Sequence, residues 1–351
     1  MGTQTEAGRL HMGWDASGIE LVAPGVHRVP LPLPGDALKA VNVYVIEDGD
    51  GLVLIDSGQY LGEARIKLEA ALASLGAGFG DVRDFLVTHI HRDHYTQAIA
   101  LRREFGTRVS LGAGEAVSIA AVQSPTTAAM SRHLTALESC GAEPLIDLLR
   151  RSEQPDSDSL RRLFEPPDAW LEDRSVVDLT TRALRVVSTP GHTRGHVVFL
   201  DEEQDLLFAG DHVLPHITPS IAFEPAPPEN PLGKYLASLS LVRSLPDARL
   251  LPAHGPVSPS VHARVDELVL HHERRLDDTL RAVVEGRRSP YEAAQGLLWT
   301  RRERRLSELD PFNQMLAVLE TKVHLDLLVA QGRLDVDVQS GLLTYRQPPA
   351  A

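Results

Sequence analysis

The stretch Thr88-His89-Ile90-His91-Arg92-Asp93-His94 sets three imidazoles and a carboxylate within six residues. Neutral imidazole nitrogen and carboxylate oxygen are the donors that zinc-class ions take, and a catalytic ion keeps a position open for water. Fifteen histidines scattered along this chain would rarely crowd so closely, which argues against an incidental polar loop. In a loop, His89 and His91 can face one ion while Asp93 and His94 face a neighbour. Three more ligand types stand at comparable places: RVVSTPG runs into His192, LLFAG into Asp211 and RLLPA into His254, as DFLVT runs into His89. Each follows an apolar run that reads as a strand, and strand ends along one sheet edge are rigid points from which side chains converge.

The elements that must position these residues alternate. VNVYVIEDGDGLVLIDSG reads as two strands turning at Asp48-Gly49-Asp50-Gly51, and LGEARIKLEAALASLG as a helix stopped by Gly76. Strand DFLVTH, helix YTQAIALRREFG and strand RVSLG follow. Residues about 115–170 break the rhythm with helical patterning interrupted by Pro125, Pro144, Pro155, Pro166 and Pro167, and are expected to form an insertion or cap. Strands then resume in SVVDL, LRVVSTPG, HVVFLDEEQDLLFAGD and RLLPAHG, with a helix near 231–244, so the second half loosely repeats the first. A long helix is expected over 260–286, then further helices and a closing β-pattern turning at Ser340-Gly341. The division expected is a loose leader (1–18), a catalytic domain (19–259) and a C-terminal helical, winged-helix-like domain (260–351).

Composition narrows the class. Apolar residues make up 43%, and no run approaches the roughly 18 apolar residues of a membrane span. The start, MGTQTEAGRL, lacks the charged and apolar regions of a secretory signal, so a cytoplasmic location is expected. Cys140 is the only cysteine, which excludes an internal disulfide and a thiolate cluster. Net charge is -13, concentrated before residue 261, and repels polyanions at long range.

T-H-I-H-R-D-H resembles the H-x-H-x-D-H signature of the metallo-β-lactamase superfamily, and T-P-G-H-T, A-G-D-H and P-A-H-G match its other ligand motifs in order over about residues 20–258. The resemblance implies an α/β fold, a four-layer αβ/βα sandwich with the site at one edge of the paired sheets. It implies that His89, His91 and His192 bind one metal, that Asp93, His94 and His254 bind a second, and that Asp211 bridges them. Two zinc ions are expected, with manganese or iron as alternatives. Such a pair lowers the pKa of a shared water from about 16 toward neutrality and polarises the scissile bond, so no Ser or Cys nucleophile is needed. Asp93 could orient the resulting hydroxide or pass its proton to the leaving group. Asp56 matches a carboxylate that braces a ligand histidine in the superfamily, and His196 resembles the second histidine of thioesterase-like members, an ordinary buried histidine being the equal alternative. His212 and His216 could line the pocket. Where small residues usually follow the signature, Tyr95, Thr96 and Gln97 stand, and bulk there is expected to narrow the mouth.

The tail from about 260 resembles the winged-helix extension of the lactamase-B2-like branch, which is linked with thioester hydrolysis and single-stranded RNA cleavage. A small acyl thioester or related ester is the favoured substrate, since an RNA track needs basic residues that the acidic body does not offer. RNA cleavage is the alternative; a mononuclear iron dioxygenase using His89, His192 and Asp211, or a DNA-binding regulator, would leave ligands without a purpose. A homodimer is possible. The His271-His272 pair and the Arg301, Arg302, Arg304, Arg305 run read as solvated faces.

Overall fold

The computed structural model describes residues 13–15, 18–35, 38–124, 129–151, 161–224 and 226–349. Most of the leader expected at 1–18 lies outside them, as do Pro125 and Pro155. Seven strands form one sheet in chain order: β1 (Glu20–Ala23), β2 (Val26–Pro32), β3 (Ala40–Asp48), β4 (Gly51–Ile55), β5 (Val82–Val87), β6 (Arg108–Gly112) and β7 (Ala169–Leu171). Pairing is antiparallel as far as β4 and parallel from β4 to β7. A second sheet carries β8 (Val176–Asp178), β9 (Ala183–Ser188), β10 (Val197–Asp201), β11 (Leu206–Gly210) and β12 (Arg249–Pro252), with only β11–β12 parallel. The β3–β4 turn falls where the Gly/Asp cluster predicts it: Asp48 pairs with Gly51, and Gly49 takes a φ of +65°.

Near-continuous apolar runs are what strands covered on both faces require. Along β3, Tyr44 and Ile46 point to the second sheet, meeting Phe199, Leu206 and Phe208, while Val41, Val43 and Val45 point outward. The Tyr44 and Phe208 rings cross edge-on between the sheets with centroids 5.4 Å apart. Helices α1 (Gly62–Ser74) and α2 (Arg92–Phe105) cover the outer face of the first sheet. On the second, α6 (Pro231–Ser244) and α7 (Val261–Val284) do the same, completing the helix–sheet–sheet–helix layering.

The insertion contains α3 (Ala116–Gln123), α4 (Ala129–Ser139) and α5 (Glu143–Arg151). The tail continues from α7 into α8 (Pro290–Gly296), α9 (Pro311–Ala330) and a hairpin of β13 (Asp335–Gln339) and β14 (Leu342–Arg346). Asp310 caps α9 by accepting from the Asn313 N–H, with Pro311 at the first helical position. Insertion and tail share one core, in which Leu137, Cys140, Leu145 and Leu149 pack on Leu297, Trp299, Met315 and Leu319. His272 departs from expectation: α9 packs over it, so it is fully buried 3.2 Å from His324, and only His271 of that pair is exposed. The four arginines from 301 to 305 are exposed.

Candidate metal centre

The apolar strands end where the chemistry begins. His89 follows β5, His192 lies in the turn after β9, Asp211 follows β11 directly and His254 follows β12. One edge of the sandwich therefore carries all four, while a surface hollow lined by Val22, Asp205, Asp247 and Arg249 sits at the opposite strand ends. The expected loop is partly helical, since α2 already starts at Arg92 and its first turn carries Asp93 and His94.

All seven residues come together in two groups, His89, His91, His192 and Asp211 in one and Asp93, His94 and His254 in the other. His89 Nε2 lies 3.0 Å from His91 Nδ1, and His192 Nε2 lies 3.2 and 3.0 Å from those two atoms. Nitrogens around a tetrahedral zinc ion sit roughly 3.3 Å apart, so this spacing suits one ion. In the second group Asp93 Oδ2 is 3.5 Å from His94 Nε2 and 3.4 Å from His254 Nε2. Asp211 serves both: its Oδ2 is 3.4 Å from His192 Nε2, its Oδ1 3.3 Å from His254 Nε2 and 3.7 Å from His94 Nε2.

The far nitrogen of each imidazole is tied to an oxygen, which aims the other one inward. His94 Nδ1 pairs with Asp56 Oδ2 at 2.9 Å and His89 Nδ1 with Thr88 Oγ1 at 3.0 Å. Main-chain carbonyls hold the rest: His254 Nδ1 donates to Ala40 (2.8 Å), His192 Nδ1 to Ser220 (2.6 Å) and His91 Nε2 to Phe223 (2.8 Å). Asp56 also accepts from the Thr88 N–H and hydroxyl, and does so from a left-handed φ of 60°, a conformation aspartate tolerates better than most residues.

Among the described residues, His94 Nε2, His254 Nε2 and Asp211 Oδ1 are buried without a hydrogen-bond partner. Unpaired buried polar atoms are costly, and a cation between them would satisfy all three. Charge agrees. Burial drives His89 well below its ordinary range, helped by the neighbouring imidazoles, and lowers His91 to about 3 and His192 as well. Burial also opposes protonation of His94 and His254, yet the surrounding carboxylates outweigh it and raise both. For Asp93 and Asp211 burial pushes upward and the histidines pull both below the usual carboxylate range. The first group thus presents neutral imidazoles and both aspartates are ionised, the protonation states a divalent ion binds, while His94 and His254, held protonated by the carboxylates, release their protons as a cation takes their place.

His196 is the buried, hydrogen-bonded kind. Its Nδ1 pairs with Thr189 Oγ1 at 2.8 Å, and its Nε2 accepts the Asp211 N–H at 3.1 Å, so it holds the bridging residue by its backbone. Gly210 makes that possible: at φ +50° a Cβ would lie 2.7 Å from both His196 Nε2 and Thr88 Oγ1. The sequence reading missed Gly210 and Thr88, and residue type carried no signal for the three carbonyls. Tyr95, Thr96 and Gln97 do not narrow the mouth. They point into the core, Tyr95 donating to the Glu165 carbonyl and Gln97 to the Ser57 carbonyl, because the helix that starts at Arg92 turns that face inward. His212 is fully buried beside the Tyr235 ring, and His216 is exposed.

The sequence profile of the metallo-beta-lactamase superfamily matches residues 37–254. A lactamase-like protein of Pestalotiopsis fici is 26% identical over 73% of this chain and 64% of its own length. An atrochrysone carboxyl ACP thioesterase of Aspergillus fumigatus is 27% identical over 77% of this chain and 67% of its own. The chain spans 58% to 64% of the length of three fungal lactamase-like relatives. The crystal structure of a metallo-beta-lactamase family protein from Thermus thermophilus is 28% identical with a TM-score of 0.77, covering 93% of this chain and 99% of that one.

Proposed function

This chain belongs to the metallo-beta-lactamase superfamily, and from that membership we propose that it is a two-metal hydrolase of acyl thioesters. His89, His91 and His192 would hold one ion and Asp93, His94 and His254 the other, with Asp211, whose two oxygens face the two groups, available to both. The observation that carries this is the inward aim of five imidazoles and both Asp211 oxygens, each histidine braced from behind. Zinc suits the nitrogen and oxygen donors, and manganese or iron accept the same set.

When bound, the ions supply a Lewis acid for the carbonyl oxygen and a water acidified toward neutral pH. The protein's own contribution is placement and proton handling. Asp93 is the most exposed of the site's carboxylates at 14%, and it accepts the attacking water's proton and returns it to the departing thiolate sulfur.

An aromatic wall beside His91 supports an acyl substrate. Phe223 lies 6.0 Å from the His91 ring, His133 of α4 stacks on Phe223 at 4.8 Å, and Phe312 of α9 meets it edge-on at 5.4 Å while staying 42% exposed. Body, insertion and tail each contribute one ring, which supports a role for the extension in shaping the acyl site. The relative named as a carboxyl ACP thioesterase acts on the same bond type. Thiol release from acetyl, long-chain and aryl thioesters of coenzyme A and pantetheine tests the reading. Turnover favouring the larger acyl groups supports it; no thiol release from any of them, with cleavage of single-stranded RNA, would replace it.

A further inference from the structure

Beside the first group of histidines lie two buried carboxyls that neither the ligand set nor the acyl site uses. Glu115 is fully buried in the turn that opens the insertion, and Glu224 is 4% exposed in the loop after β11. Glu115 Oε1 accepts the Thr193 hydroxyl at 2.5 Å and the Ile90 N–H at 3.4 Å. Glu224 Oε1 accepts the Arg194 N–H at 2.8 Å and the Ser118 hydroxyl at 2.9 Å, and Ser118 also faces Glu115. Among the described residues the Oε2 of each is buried without a partner.

Their contacts are the neighbours of the ligands. Ile90 separates His89 from His91, Thr193 and Arg194 follow His192, and the Phe223 carbonyl just before Glu224 fixes which His91 nitrogen faces inward. The seam around them has no slack: a Cβ on Gly195 would fall 2.1 Å from Glu115 N, and one on Gly112 2.0 Å from the Gly195 carbonyl. Among the described residues no ion pair reaches either carboxyl: the Arg194 guanidinium bonds to the Ala226 and Pro227 carbonyls and acts on Glu224 only through its charge. Two carboxylates cannot both ionise cheaply in such a place.

We propose that Glu115 and Glu224, buried beside Ser118, act as a carboxyl pair that clamps the base of the insertion to the loops carrying His91 and His192 and so positions the first metal group. Burial holds Glu115 up at about 8, the Glu224 charge adding to it and Thr193 opposing, and holds Glu224 up at about 7 against the pull of the Arg194 and Ser118 contacts. The Tyr95 hydroxyl also lies within electrostatic reach of Glu115. Both glutamates are positioning residues; neither touches substrate.

The inference rests on the two-metal reading, so its test includes a measurement that needs no metal. Infrared spectra of the metal-free full chain between pH 6 and 9.5 are expected to show protonated carboxyl bands that disappear with rising pH, part of which is missing in Glu115→Gln and in Glu224→Gln. The band of Asp84, which burial also holds near about 7, should persist in both. In zinc titrations Glu115→Ala should weaken one site about tenfold or more and spare the other, with Glu115→Gln restoring wild-type affinity. Unchanged infrared titration in the Gln variants overturns the pair, as does a Glu115→Ala protein that binds both ions normally. Wild type with no metal affinity would instead defeat the two-metal reading alone.

Discussion

Replacing Asp56 by Asn tests the bracing of the second metal group with the least disturbance elsewhere. Asn has the same shape and tolerates the left-handed backbone that Asp56 adopts. Its single carbonyl can keep the Thr88 N–H bond, now 2.8 Å. The amide nitrogen then faces His94 Nδ1, donor against donor, while the Thr88 hydroxyl can donate to the carbonyl oxygen it already reaches at 3.0 Å. His94 resolves the conflict by moving its proton to Nε2, the atom aimed at the second ion. Loss of an outer carboxylate of this kind lowers metal affinity roughly 10- to 100-fold, or about 1.4–2.8 kcal/mol. Isothermal titration with zinc should show one of two sites weakened by that factor, the other nearly unchanged and thiol release falling in parallel. Two sites of wild-type affinity in a folded Asp56→Asn protein would refute the argument that the rear acceptor sets the tautomer.

Gly210→Ala puts a Cβ against His196 and Thr88 at a positive φ, so it should cost about 1–3 kcal/mol and lower both thermal midpoint and zinc content; an unchanged midpoint would contradict the close packing. Phe312→Ala removes half-exposed apolar area worth about 1–2 kcal/mol. It should raise KM for long-chain and aryl thioesters several-fold with kcat and acetyl-thioester KM unchanged, and an equal effect on all acyl lengths would remove Phe312 from the acyl site. Burial lowers His324 to about 3 and His272 well below its ordinary range. Because the folded pKa values lie below the unfolded ones, the unfolded chain takes up protons first as pH falls below about 6.5, and stability drops by up to about 1.4 kcal/mol per pH unit for each histidine. Urea unfolding of the metal-free protein at pH 7.5 and 5.5 should show a smaller loss in His324→Gln than in wild type; equal losses would mean the pair does not stay neutral.

What the sequence made legible was local. A strand signal followed at once by His89, Asp211 or His254 places a ligand type at a sheet edge, because strand direction and residue identity both lie within a few positions. The acceptors behind His91, His192 and His254 are carbonyls of Phe223, Ser220 and Ala40, which any residue could offer, so only the fold reveals them. Gly210 reads in sequence as one more small residue after an apolar run; its necessity comes from Thr88 and His196, far away along the chain. Which face of a helix is buried is likewise nonlocal. His272 looked like part of a charged surface until α9 was laid over it, and Tyr95 to Gln97 looked like bulk at the mouth until α2 turned them inward. Glu115 and Glu224 escaped notice because their partners come from distant parts of the chain, the loop after β5, the loop after β9 and helix α3.

The most direct test is anomalous X-ray scattering at the zinc edge from crystals of the zinc-loaded chain. Two peaks are predicted, one among His89, His91 and His192 and one among Asp93, His94 and His254, with Asp211 between them. A single peak confined to one group, or none among these seven residues, would contradict the two-metal centre.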